Sequence, residues 1–468
     1  MIKIQSKKIY FLILGFFTCF FFDISNLNQG LSHDEKMVIR MILLMIFLWI
    51  TEIIPISVTA MIPLLFAPIF NEVKFIDITR HYSSPVVFLL LGGFILAQGF
   101  EKSGLHQRIA LKTLLNFGDS REKILFSVIF STAFFSMWLS NTATCLLMLP
   151  IVSNILKNKF KKSEDQPYSK ILILSIAYAS SIGGMATPIG TIPNAVMVSF
   201  LNENFGIEID FVNWFIFTFP LVFTLLICVF FFLRSKFKQG KKKIDKRFIL
   251  KKYLSLGKLS EQEKISIFIL LLTISLWIFK KHLNRYFEIS LSDASIAIFG
   301  SFLFFILPLK KSSSILSFDW YKNIPWNVLI LFGGGLSMAS LIMSTGLADE
   351  LSKIMNIINI FNLLSIIIVI ALITSLMTEF TSNTATTFLL LPLLSTFAIN
   401  NDLNVLQLTF PFVLAASCAF MMPIATPPNA IVYSSGKFNI SFMVKNGFFI
   451  NFISIIIISL YVFFLKYN

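Results

Sequence analysis

The residues best placed to do chemistry occur twice. Ser140-Asn141-Thr142-Ala143-Thr144 returns as Ser382-Asn383-Thr384-Ala385-Thr386, 242 residues later. The likeness runs on, since 140–152 and 382–394 match at eight of thirteen positions, Pro150 with Pro392 among them. Polar residues fixed inside apolar stretches are not what composition alone produces. Each copy offers neutral oxygens and N–H donors. A second pair follows: Pro188-Ile189-Gly190-Thr191-Ile192-Pro193-Asn194 and Pro423-Ile424-Ala425-Thr426-Pro427-Pro428-Asn429, offset by 235. Pro and Gly at these positions break a helix. The N-terminal end of the resumed helix turns free N–H groups and a positive dipole end toward an anion. The C-terminal end of the interrupted helix and its unwound carbonyls suit a small hard cation such as Na⁺.

The missing charges narrow the chemistry further. Segments 131–156, 171–202, 355–400 and 403–436 contain no Lys, Arg or His, and their only charged side chain is Glu379. An anion held there has no fixed cationic side chain to balance it. Bound cations would supply that balance, which fits cation–anion symport better than exchange of anions alone. Ser and Thr in apolar helices also serve helix packing, but the duplicated arrangement favours a site. Glu379 is an intramembrane acid, and such a residue is a functional candidate by default. Its repeat partner is Met137, so a direct ligand, a proton carrier and a structural acid bonded to backbone amides all stay open. Glu52 reads as structural. The chain contains no GxxxxGK[ST], no HExxH and no credible Ser-His-Asp set, which excludes the common hydrolase and ATPase chemistries.

The elements that must position these residues are membrane helices. The 468 residues are 56% hydrophobic and only 13% charged, with a mean hydropathy of +0.81; a soluble chain carries roughly a quarter charged residues. Apolar runs of about 20 residues recur, each long enough to cross a bilayer. Periodicity and turn residues predict spans at 10–23, 36–55, 58–70, 85–100, 211–233, 264–279, 293–308, 328–343 and 442–465. Segments 105–116 and 347–358 are amphipathic and fit the interface. Segments 171–201 and 406–434 are broken helices. Segment 124–156 is apolar with Ser140-Asn141-Thr142 at its middle and returns to a basic stretch, 157–170; with both flanks on the cytoplasmic side it is a re-entrant hairpin, and 362–397 is its counterpart. Irregular backbone at that depth is tolerated only where it is buried in protein or faces a cavity. Gly92-Gly93 and Gly104 pair with Gly334-Gly335 and Gly346 at the same offset of 242, so the repeat extends well beyond the pentapeptide.

The net charge of +15 does not point to nucleic acid. Residues 234–252 hold ten Lys or Arg against one acid, Asp245, directly after an apolar span, which marks a cytoplasmic loop able to touch anionic lipid. A cytoplasmic N-terminus places 157–170, 234–252 and Lys310-Lys311 inside. It places the acidic turns 202–210 and Asp349-Glu350 outside and leaves the C-terminus external. The first hairpin then enters from the cytoplasm and the second from outside, as inverted repeats require. Lys280-Lys281 falls outside and breaks the pattern. The first 22 residues read as a retained span. Cys19, Cys145, Cys228 and Cys418 have no CxxC spacing, and His33, His81, His106 and His282 read as surface or interfacial residues.

These residues resemble a known family. Ser140-Asn141-Thr142, Ser382-Asn383-Thr384 and Phe420-Met421-Met422-Pro423-Ile424-Ala425-Thr426-Pro427-Pro428-Asn429-Ala430 resemble the motifs of the divalent anion–sodium symporters, carriers of dicarboxylates, citrate and sulfate. Segments 291–308 and 326–346 and Thr51-Glu52-Ile53-Ile54-Pro55 are similar too. The resemblance implies an all-α polytopic membrane protein with two inverted repeats, about 11 transmembrane helices and two re-entrant hairpins. Scaffold and transport domains would move against each other elevator-fashion in a homodimer of a bacterial inner membrane. The expected divisions are an N-terminal span (1–35), a first repeat (36–234, hairpin 120–158, broken helix 171–201), a basic linker (235–263) and a second repeat (264–468, hairpin 360–399, broken helix 405–435).

By motif, the resemblance implies one Na⁺ site at Ser136, Ser140, Asn141 and Gly190, and another at Thr378, Thr381, Asn383 and Ala425. A small dianion would meet Ser140, Asn141, Thr142, Thr191, Ser382, Asn383, Thr384, Thr426 and Pro427. Ile192 departs from the family pattern, which often has Pro there, as at Pro427. The implied activity is sodium-coupled symport of a C4-dicarboxylate such as succinate, malate or fumarate. A sodium-independent exchanger and a sodium-coupled citrate or sulfate carrier stay open, and, at a distance, a non-transporting receptor or channel.

Overall fold

The computed structural model describes residues 31–117, 120–159, 166–238, 247–309, 314–355 and 362–465. The span expected at 10–23, Cys19 and Lys310-Lys311 lie outside these residues. The described residues form 21 α-helices and no β-strand. Among the described residues, five helical stretches are long and apolar enough to cross a membrane: Phe75–Lys102, Phe211–Arg234, Glu261–Phe287, Trp326–Ser344 and Ile440–Phe464. Four shorter apolar helical stretches accompany them.

The chain begins with α1 (His33–Thr51), opened by a capping box in which Ser32 and Glu35 satisfy each other's amides. The expected third span is divided into α2 (Ile56–Thr59), α3 (Ile62–Phe66) and a 3₁₀ turn, because Pro55 and Pro63 each restart the helix. After α4 (Phe75–Thr79) come α5 (Pro85–Lys102) and α6 (Leu105–Phe117). The first motif joins α7 (Arg121–Ser136) to α8 (Asn141–Lys159). The first broken helix is α9 (Gln166–Gly184) and α10 (Ile192–Phe205), followed by α11 (Phe211–Arg234).

The basic linker is not all loop. It contains α12 (Arg247–Ser255) and ends at the Ser260–Glu263 capping box of α13 (Glu261–Phe287), which starts earlier and runs longer than the span expected at 264–279. Helix α14 (Asp293–Ile306) precedes a second series with the same order of elements. These are α15 (Trp326–Ser344), α16 (Leu347–Met355), α17 (Leu363–Thr378), α18 (Asn383–Asn400), α19 (Val405–Ala416), α20 (Pro427–Tyr433) and α21 (Ile440–Phe464). Gly104, between α5 and α6, and Gly346, between α15 and α16, both adopt left-handed backbone, with φ of 76° and 83°, a conformation only glycine takes without cost. Their common offset thus reflects one shared turn.

At the centre lies α9, buried on every side from Ile171 to Gly184. A helix apolar all round belongs in a core, and α7, α8, α11 and α20 surround it. A separate pairing joins α5 to α14. There a side chain at Gly92 would strike the backbone of Ala297, and one at Gly99 the ring of Phe304. Lys280-Lys281 sits on α13 and is neutralised, Lys280 Nζ lying 2.7 Å from Asp293 and Lys281 Nζ 3.0 Å from Asp210. Burial pushes the Asp210 carboxyl up, but the Asn213 amide and both lysines outweigh it and hold it below the usual carboxylate range. The two lysines therefore share an edge with the acidic turn that ends at Asp210.

Two histidines read as surface or interfacial are interior instead. His106 is buried, and buried His81 lies 3.1 Å from Glu203 through Nδ1. The sequence hid this because the partner, Glu203, is 122 residues away.

Candidate functional site

The two Ser-Asn-Thr copies occupy the same structural place. Each begins a helix, α8 or α18, immediately after a tight turn from the preceding one. In the first half Ser140 Oγ accepts from the Ala143 amide at 3.2 Å. In the second, Ser382 is the N-cap of α18 but its hydroxyl makes no capping bond. Ser140 and Pro427 are exposed, Asn141, Thr142, Thr191, Ser382 and Asn383 partly so, and Thr384 and Thr426 are buried. Thr191 and Thr426 are the N-caps of α10 and α20, and Thr426 Oγ1 accepts from the Asn429 amide.

The first half gathers oxygens. Ser136 Oγ lies 2.7 Å from Asn141 Oδ1 and 2.6 Å from the Ser180 carbonyl. One hydroxyl proton cannot serve both acceptors. A Cβ at Gly184 would sit 2.3 Å from Asn141 Oδ1 and 3.1 Å from the Gly190 carbonyl, and one at Gly190 would sit 2.4 Å from the Gly184 carbonyl. Absent side chains at Gly184 and Gly190 thus let five oxygens approach, from Ser136, Asn141, Ser180, Gly184 and Gly190. Neutral oxygens crowded round one shared proton, as those of Asn141 and Ser180 are round the Ser136 hydroxyl, suit a small hard cation. Ser136, Asn141 and Gly190 are brought together as expected; Ser140 caps the helix beside them.

The break between α9 and α10 is held rigid. Asn194 Nδ2 lies within reach of the carbonyls of Gly184, Met185 and Thr187, at 3.1, 3.3 and 2.8 Å. Trp214 Nε1 donates to Met185 O and Thr218 Oγ1 to Ala186 O. Thr187 Oγ1 donates to the Met137 carbonyl at 2.6 Å, tying the break to the motif turn. The carbonyls freed by unwinding are satisfied one by one, as a buried break requires.

The second half uses the same plan with a different tether. Asn429, partner of Asn194, donates from Nδ2 to the carbonyls of Ala419 and Met422, both at 2.9 Å. Ser375 Oγ donates to Cys418 O. The tie to the break is Glu379. Its carboxylate accepts from the Met421 amide (2.9 and 3.1 Å), the Met422 amide (2.8 Å) and Asn451 Nδ2 (2.7 Å). Of the three roles left open, this geometry supports the structural one.

Thr378, Thr381, Asn383 and Ala425 are not gathered as tightly. Thr378 donates to the Ser375 carbonyl, and the Thr381 and Thr386 hydroxyls meet at 2.8 Å. Ala425 closes the turn by donating to Met422 O. Asn383 Oδ1 is buried with no hydrogen-bond partner among the described residues, an acceptor that a cation would satisfy.

The halves interlock. Helix α8 packs on α20, where Cys145 Sγ lies 3.6 Å from the Pro428 carbonyl, and α18 packs on α10. Each motif helix therefore rests on the resumed helix of the other half. No hydrogen bond joins the two Ser-Asn-Thr segments among the described residues. Sequence reading missed Ser180, Thr187, Asn194, Asn429 and Asn451 as site-builders. The available signal was the Asn194–Asn429 pair at offset 235 and an amide, Asn451, midway along an apolar helix.

The tether predicts a separable defect. Glu379→Gln would set an amide NH₂ against main-chain N–H donors. Each charge-assisted bond lost costs about 1.5–3 kcal/mol, so the purified protein should melt several degrees lower. Any residual function should keep its substrate half-saturation at saturating cation. A melting curve identical to the unmodified protein would remove Glu379 from the structural role.

Residues 5–465 match the family described as the sodium:sulfate symporter transmembrane region. The sodium-dependent dicarboxylate transporter SdcS of Staphylococcus saprophyticus is 38% identical over 452 residues, covering 93% of this chain and 87% of that one. SdcS of Staphylococcus aureus strain USA300 is 38% identical over 431 residues, with 89% and 83% covered. Among solved structures, the Alcanivorax borkumensis YdaH transporter shares the fold at a TM-score of 0.58 and 10% identity, over 92% of this chain and 98% of that one. These relatives are transporters. On the strength of a match spanning nearly its whole length, this chain belongs to the sodium:sulfate symporter transmembrane family.

Proposed function

We propose that this protein carries a small divalent anion together with Na⁺ across a bacterial cytoplasmic membrane, and that the anion is a C4-dicarboxylate such as succinate, malate or fumarate. The observation that carries the reading is the oxygen cluster of Ser136, Asn141, Ser180, Gly184 and Gly190 in segments that hold no basic side chain. Moving an uncompensated charge into a low-dielectric site costs several kcal/mol even after relaxation. Cations seated in the oxygen cluster and beside Asn383 offset that cost for a dianion held at 140–142 and 382–384. The names of the relatives at 38% identity support both the ion and the dicarboxylate. Citrate and sulfate fit the same logic, and stronger uptake of either than of succinate would reassign the substrate.

In this reading the two series of helices are inverted repeats. The motif hairpins and broken helices form a transport unit, and α5, α13 and α14 belong to a scaffold. The unit moves elevator-fashion within a homodimer whose N-terminus is cytoplasmic. Ion and substrate sites then face each side in turn, which favours a carrier over a pore.

The test is a grid of uptake rates into proteoliposomes over Na⁺ and succinate. Succinate affinity should rise with Na⁺, and by linkage Na⁺ affinity should rise with succinate. Thr378→Ala should raise the half-saturating Na⁺ more than it changes succinate affinity at saturating Na⁺. Equal uptake with choline in place of Na⁺, with strong counterflow of preloaded dicarboxylate, would make the protein an exchanger.

A further inference from the structure

The linker helix α12 is held in place more firmly than a loop segment needs to be. Arg108 of α6, buried, places Nε 2.6 Å from Glu263 and donates through Nη1 and Nη2 to the carbonyls of Gly257, Leu256 and Lys258. Its guanidinium also lies over the Tyr253 ring at 5.8 Å. Burying such a pair is costly unless every remaining donor is satisfied. Here four of the five N–H donors are engaged, three of them by carbonyls of the turn that follows α12. The effect is to fix the direction in which α12 presents its side chains.

One of those side chains is Lys252. It lines a cavity of about 490 Å³ together with Glu101, His106, Gln107, Ala143 and Leu146. Ala143 belongs to the first turn of α8, beside Ser140, Asn141 and Thr142. The cavity therefore runs from the linker to the motif tip of the first half. Lys252 is half-buried and, among the described residues, lies within 4 Å of no carboxylate. His106 is 5% exposed, and its Nδ1 has no hydrogen-bond partner among those residues. An unpaired cation and the side chains of His106 and Gln107 thus border one space with the first turns of α8. Glu101 opposes them, but it is exposed and so better screened than Lys252.

We propose that this cavity is a second anion-binding station, an antechamber on the linker side in which Lys252 receives the small dianion between the Ser140–Thr142 tip and the aqueous phase. The station rests on the transport reading above and adds to it the fixed positive charge that the inner site lacks. A charged, low-dielectric cleft raises the local concentration of an oppositely charged ligand by about tenfold or more. The benefit should therefore appear on one face of the membrane only.

The experiment compares succinate uptake into intact cells, which samples one face, with uptake into everted membrane vesicles, which samples the other. Sodium is held constant and ionic strength is adjusted with choline chloride. Lys252→Glu should raise half-saturating succinate about tenfold on the linker face and less than about twofold on the opposite face. Lys252→Arg should keep the unmodified value, and Glu101→Gln should shift it the other way. Added choline chloride should shrink all of these differences. Packing damage alone would move both faces together and would not follow the sign of the charge. If the unmodified protein transports succinate and Lys252→Glu changes both faces equally or neither, the antechamber is wrong and the transport reading survives. If the unmodified protein transports no dianion from either face, both readings fall.

Discussion

Asn141→Ala and Asn383→Ala should each reduce sodium-driven succinate uptake by roughly ten- to a hundredfold, the range expected when one charge-assisted contact of about 1.5–3 kcal/mol is lost. The two variants reach that result differently. Asn141 Oδ1 lies against Ser136 Oγ, so its removal deletes a proposed cation ligand and leaves the Ser136 hydroxyl on the Ser180 carbonyl. Asn383 Oδ1 is an acceptor with nothing to accept among the described residues. Removing it costs the empty protein no hydrogen bond, so Asn383→Ala should melt no lower than the unmodified chain when Na⁺ is absent. It should, however, lose the rise in melting temperature that Na⁺ and succinate give by binding the folded state. Expression, melting temperature with and without ligands, and uptake separate these cases. Near-normal uptake by both variants would place the site elsewhere.

Gly184→Ala should be as damaging, although it adds a single methyl group. The new Cβ would lie 2.3 Å from Asn141 Oδ1 and 3.1 Å from the Gly190 carbonyl, distances at which something must move. Overpacking of this kind costs about 1–3 kcal/mol, and here the strain falls on the oxygens proposed to hold the cation. Half-saturating Na⁺ should rise about tenfold or more, since about 1.4 kcal/mol is a factor of ten. Gly93→Ala is the matched control, because its Cβ would meet Ile189 at an ordinary 3.5 Å. Equal Na⁺ dependence in the two alanine variants would show that the Gly184 carbonyl and its neighbours hold no cation.

Much of this arrangement was legible in the sequence, and for identifiable reasons. Helix breaks announce themselves through Pro and Gly, and a motif repeated at a fixed offset marks equivalent turns. The starts of α8 and α18 therefore fell at Asn141 and Asn383 as the repeat implied. Gly104 and Gly346 share the repeat's offset in sequence and a left-handed backbone in the fold. Other features depend on contacts far apart in the chain. Pattern alone could not seat His81 against Glu203, or set Lys280 and Lys281 against Asp293 and Asp210. The second break proved longer than its Pro-rich core, running from the end of α19 at Ala416 to Thr426. Its earlier part is held open by Ser375, Glu379 and Asn429, all outside the stretch from Ser417 to Pro423 that periodicity would have had to flag as irregular. The helix inside the basic linker was hidden for a different reason. Its charge signals an aqueous surface whether or not the backbone is helical.

The two halves are alike in sequence but unequally fastened. In the first, the motif turn is bound to its break by one neutral bond, from the Thr187 hydroxyl to the Met137 carbonyl. In the second, a carboxylate gathers two main-chain amides and the Asn451 side chain. A neutral bond contributes about 1 kcal/mol, whereas each bond to a charge contributes about 1.5–3 kcal/mol. The turn at 137–140 should therefore loosen on warming before the turn at 379–382, and backbone-amide exchange would show it as an earlier loss of protection.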